Sequence, residues 1–118
     1  MHYIMKLISA VGIALFLATS VQAETITPQE ASHYAGSAIT VEGVVSQVKT
    51  TGGGTTFINF GGRYPNHVFY GVIFRSNQDR FSKVHSLEGK TISISGTIEF
   101  YKGKPQIVLT SPNQIKLR

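Results

Sequence analysis

Two strand-length runs each carry a glycine inside their alternation, and this limits what the chain can fold into. In AITVEGVVSQVKT, residues 38–50, Ile39 and Val41 alternate with Thr40 and Glu42, then the phase slips through Gly43 towards Val45 and Val48. In TISISGTIEFY, residues 91–101, Ile92 and Ile94 are followed past Gly96 by Ile98. A period of two belongs to a strand that buries one face. Glycine inside such a strand marks a bulge or a sharp bend. TTFINF, HVFYGVIF and PQIVLT supply three more strands. Five short strands in an open sheet would leave two unpaired edges, and bending the long ones at glycine lets the sheet close into a small barrel.

Two segments read as helices. Thr27, Pro28 and Glu30 form a capping box with proline at the first helical position. They predict a helix of about two turns, stopped by Gly36 and docked through Ala31, Tyr34 and Ala35. In SNQDRFSKVHSLEGK, Ser76 and Asp79 make a second box, Phe81 and Val84 share a face, and Gly89 ends the segment. The resulting order is β-β-β-α-β-β, mainly β, with a short N-terminal helix and another between the third and fourth strands. A helix at that point is the layout of the five-stranded OB-fold barrel. An SH3-like barrel is the rival, and it usually lacks this helix.

Residues 1–23 read as a signal peptide. Lys6 precedes the apolar run LISAVGIALFLA, and Val21 and Ala23 occupy the positions a signal peptidase reads. The run falls short of the roughly 20 apolar residues of a membrane span. Cleavage after Ala23 would leave residues 24–118 as one domain, secreted or periplasmic, with no membrane anchor. The chain has no cysteine, so it has neither disulfides nor a site for a lipid anchor.

The residue inventory argues against an enzyme. Asp79 is the one aspartate, and Glu24, Glu30, Glu42, Glu88 and Glu99 are scattered with no close pair for acid and base work. His33, His67 and His85 lack metal-ligand spacing, and the glycines at 52–54 lack the lysine and helix of a phosphate loop. The expectation is no catalytic residue, no metal and no cofactor.

A binding surface remains. The formal net charge is +5 at pH 7, which suits a polyanion without requiring one. Single-stranded nucleic acid needs cations for its backbone and flat rings for its bases. An OB barrel offers its second and third strands and flanking loops for this. Lys49 precedes the first loop; Asn59, Arg63, Tyr64 and His67 surround the next hairpin; Arg75 follows the third strand; Tyr101, Lys102 and Lys104 sit at the last turn. Alternation sets Phe57 with Asn59 on the outward face of the second strand. His67, taken as a polar marker, puts Phe69, Gly71 and Ile73 outward on the third, which makes Phe69 a stacking candidate. For Phe69 a core role competes, for Tyr64 a cover over the barrel mouth, and for Lys102 and Lys104 simple solubility of a turn.

The segments VEGVV, TFINFGGRYPN, VIF, LEGKTISISGTI and YKGKPQIVL resemble small exported bacterial OB-fold domains described as nucleic-acid-binding. The resemblance spans nearly all of residues 24–118 and implies an OB barrel that binds nucleic acid. The resulting expectation is a non-catalytic module for single-stranded DNA or RNA, or another extended polyanion. A partner protein in the envelope, or an oligosaccharide, is the alternative ligand.

Overall fold

The computed structural model describes residues 24–118, so the expected signal peptide lies outside the described residues. Seven strands form: β1 (Thr25–Ile26), β2 (Ala38–Thr50), β3 (Thr56–Phe60), β4 (Phe69–Ile73), β5 (Thr91–Tyr101), β6 (Lys104–Val108) and β7 (Ile115–Leu117). They are bonded in the order β1-β2-β3-β4-β6-β5-β7, and an additional β2–β5 pairing closes β2 to β6 into a ring. The five ring strands are the five read from the alternation. β1 adds to β2 in parallel, and β7 adds to β5 antiparallel, outside the ring.

Closure depends on two shared strands. β2 pairs with β5 from Ala38 to Val44, then with β3 from Val45 to Thr50. β5 pairs with β2 up to Thr97, then with β6 from Ile98 to Tyr101. Gly43 and Gly96 lie one residue before these transfers. The irregular register falls between Val45 and Gln47, slightly beyond the glycine. Both glycines also permit close approach: a Cβ on Gly43 would lie 2.7 Å from Pro28 Cγ, and one on Gly96 would lie 2.6 Å from Ile107 Cγ2.

The helical expectation needs correction. Every helix among the described residues is a short 3-10 segment: Pro28–His33, Arg75–Arg80, Val84–Leu87 and Pro112–Gln114. The Thr27–Glu30 box does form, with Thr27 N–H donating to Glu30 Oε1 at 2.8 Å. Ala31 is buried beside a half-buried Tyr34, but Ala35 stays exposed. Between β4 and β5 the expected single helix is two pieces. Phe74 caps the first with no side-chain bond, so the Ser76–Asp79 box is not made. Ser, Asn and Asp compete with helical bonding through their own side chains, which favours turns here. Phe81 and Val84 nevertheless reach the core, each 7% exposed.

The core fills the ring. Val48, Ile58, Gly71, Ile107 and Ile98 pair in succession across β2, β3, β4, β6 and β5, and they form one inward row. Directly paired residues share a face. The next row, Gln47, Asn59, Tyr70, Gln106 and Glu99, must therefore lie on the outer face of the same strands. No helix among the described residues is long and apolar enough to cross a membrane.

Candidate ligand-binding groove

The outer row does not lie open. Gln47, Asn59, Tyr70 and Gln106 are all buried, and the loop joining β3 to β4 folds back over the Gln47 to Tyr70 part of the row. Sequence and structure agree on why this loop turns so sharply: Gly61 and Gly62 adopt φ of 76° and 145°, values that side chains rarely accept. Three anchors hold the loop down. Gly62 N–H donates to Ser46 Oγ at 3.0 Å, and Tyr64 N–H to Gln47 Oε1 at 2.9 Å. From the other side, Lys104 donates to the carbonyls of Pro65 at 2.6 Å and His67 at 2.7 Å.

The fold-back creates a groove of about 590 Å³, within the usual range of small-ligand sites. Phe57, Asn59 and Tyr70 come from the sheet, Tyr64, Pro65 and His67 from the loop. Lys49 and Thr51 stand at one side and Tyr101, Lys102 and Lys104 at the other. Four rings touch in sequence. Tyr64 stacks on His67 at 5.8 Å, His67 meets Tyr70 edge-on at 5.4 Å, and Tyr70 meets Phe57 at 5.6 Å. Lys49 Nζ lies 5.9 Å from the Tyr64 ring centre, and Lys102 Nζ 5.4 Å from that of Tyr101. These are cation–π distances. Among the described residues, no carboxylate lines the groove.

Lys49, Asn59, Tyr64, His67, Tyr101, Lys102 and Lys104 thus meet in one place, as the loop assignment expects. Arg63, Phe69 and Arg75 do not. Phe69 is fully buried against Phe60 inside the ring, with centroids 5.4 Å apart. Its expected outward face is reversed, because His67 belongs to the loop and its phase does not carry into β4. Arg63 turns towards Glu88 at 3.9 Å, both side chains largely exposed. Arg75 packs by its methylenes on Gly54, where an added Cβ would lie 2.9 Å from Cγ. Lys104 is tied to carbonyls, so it shapes the loop and is less available to a ligand than Lys49 or Lys102. Reading the residues missed Tyr70 and Gln47, and it set Phe57 outward without assigning it to the site. The hairpin register was the available signal: Asn59 pairs with Tyr70, so an outward Asn59 requires an outward Tyr70.

Protonation of the groove follows from burial. Burial, and then the Lys104 ammonium, push the His67 pKa below the ordinary value of 6.5. Lys104 can only donate, so His67 Nδ1, 3.4 Å from it, is the acceptor and the ring proton sits on Nε2. Burial, and then Tyr101, raise the Tyr70 phenol above its usual range, so it stays neutral. The His67 shift has a consequence for stability. An unfolded chain takes up the His67 proton more readily, so stability rises with pH between the folded and unfolded values. Its contribution is full above about 6.5 and is lost as pH falls towards the lowered folded pKa. Thermal unfolding across this window is expected to show a fall in melting temperature on acidification that His67→Gln largely lacks. An identical pH profile in the two proteins would contradict this assignment.

Among the described residues, no group of three His, Cys, Asp or Glu is placed to hold a metal. No protein-family profile matches the chain, and no curated protein matches it. Among solved structures, the chain is similar to OBody AM1L10 bound to hen egg-white lysozyme, with a TM-score of 0.58 and 18% identity over 85% of this chain and 98% of that one. It is similar to OBody AM3L09 bound to the same protein, with a TM-score of 0.57 and 19% identity over 83% of this chain and 96% of that one. A Leishmania major Friedlin protein assigned as an aspartyl-tRNA synthetase matches at a TM-score of 0.53 and 10% identity, over 85% of this chain but 21% of its own. At these identities the likeness is one of fold.

Proposed function

We propose that the chain is an OB-fold module, with β2 to β6 as its barrel, that binds single-stranded nucleic acid in the groove without catalysis. The likeness to the OBody structures supports the fold and the general role of a binding module. The observation that carries the ligand is the pairing of an exposed ring with an exposed lysine on each side of the groove: Tyr64 with Lys49, and Tyr101 with Lys102. A base stacks on the ring while its phosphate meets the ammonium, which is the recurring chemistry of unspecific single-strand binding. The leader pattern in residues 1–23 supports a role outside the cytoplasm, and the resemblance in sequence to exported nucleic-acid-binding domains points the same way.

A partner protein is the second reading, because the OBody structures hold a protein, lysozyme. Salt separates the two. Two phosphate contacts imply a log–log slope of about −1.4, hence about sevenfold weaker binding between about 50 and 200 mM salt. Fluorescence anisotropy of a labelled oligonucleotide across that range measures it. No binding at the lowest salt, or binding indifferent to salt, would end the nucleic-acid reading.

A further inference from the structure

Gln47 and Asn59 lie side by side in the outer row, and one constraint orients both amides. The Tyr64 N–H only donates, so the Gln47 atom 2.9 Å from it is the oxygen. The same oxygen lies 3.0 Å from an atom of the Asn59 amide, which must then be Nδ2. Turning the Asn59 amide over would set two oxygens against each other. Asn59 Oδ1 is consequently left without a donor. It is the one buried side-chain polar atom without a protein partner among the described residues, on a residue 2% exposed that lines the groove. Buried acceptors are nearly always matched, so this exception asks for a cause.

We propose that Asn59 Oδ1 reads an N–H on the edge of an unpaired nucleobase. The proposal rests on the nucleic-acid reading above and assigns the groove a base-edge contact in addition to stacking and phosphate contacts. A DNA backbone presents acceptors only, so it has nothing to give to this oxygen. Each of the four bases carries an N–H on its pairing edge, and in a duplex the partner strand already occupies that edge. The acceptor therefore favours single strands. Oδ1 itself is closed to water, so a base reaches it when the loop held on Gln47 shifts. The folded protein already bears the cost of drying this oxygen, and the donor then regains most of a buried hydrogen bond.

Thymine gives a clean probe, because its one N–H is at N3. An oligothymidylate and the same strand carrying N3-methylthymidine share charge, length and ring face, and differ in that donor. The methylated strand is expected to bind the unmutated protein about tenfold more weakly, the scale of one unmatched buried acceptor. Asn59→Ala should bind the plain strand more weakly and lose the distinction between the two. Equal affinity of the unmutated protein for both strands would overturn the Asn59 role and leave the nucleic-acid reading standing. Discrimination that persists in Asn59→Ala would also overturn it, since the methyl group would then be clashing elsewhere. Absence of binding by either strand at low salt would remove both readings. The comparison on unmutated protein needs no variant, so equal affinity there overturns the Asn59 role even if Asn59→Ala fails to fold.

Discussion

Replacing Phe69 by alanine is expected to remove about 3–5 kcal/mol of stability, the loss typical of a deleted core ring. The ring is fully buried and packs on Phe60 at 5.4 Å, between β3 and β4 at the heart of the closed sheet. A domain of this size has a net stability of about 5–15 kcal/mol, so the variant sits near or below the threshold for folding. Urea unfolding measures the loss. Phe69→Leu keeps most of the volume, costs less than about 1.5 kcal/mol, and leaves a folded protein for the binding assay. That variant should retain oligonucleotide affinity. If it kept full stability and lost binding instead, the ring would face the ligand and the inward row would be misassigned.

Phe69 also shows where reading the residues reached its limit. Alternation divides HVFYGVIF into two sets, but both are apolar, and β4 is buried on both faces. The division alone says nothing about which set is inward. A polar residue settles it only when it lies in the strand, and His67 lies in the loop before it. Asn59 does lie in its strand, and pairing transfers its outward sense to Tyr70. Gly43 and Gly96 were legible for the opposite reason: a glycine inside an alternating run is a local mark of the strand transfer it permits. The break into two 3-10 segments between β4 and β5 was not, because Phe81 and Val84 are placed by the core they reach rather than by continuous helical bonding. β1, of two residues, is too short to show a period at all. Within the groove, the loop residues and lysines could be gathered from topology alone. That Lys104 binds the loop's carbonyls, while Lys49 and Lys102 stay exposed, depends on distances that no pattern encodes.

Tyr64→Ala and Lys102→Ala are expected to weaken oligonucleotide binding in two distinguishable ways. Tyr64 is 67% exposed, and its ring lies over His67 without entering the core. Removing it should therefore cost little stability but about 1–3 kcal/mol of binding, the value of a stacked base, with the salt slope unchanged. Lys102 is exposed beside Tyr101, so its loss should take about 0.7 from the magnitude of the slope and converge with the unmutated protein at high salt. Lys104→Met is the control for position. Its ammonium holds the Pro65 and His67 carbonyls, so it should lower thermal stability and loosen the loop as well as weaken binding. A cover role for Tyr64 makes the reverse forecast: a lower melting temperature with binding intact. Were that the result, the exposed ring would belong to the fold, and the partner-protein reading would move ahead of nucleic acid. If both Tyr64→Ala and Lys102→Ala changed the slope alike, the ring would be acting through Lys49, 5.9 Å above it, and stacking would not be its contribution.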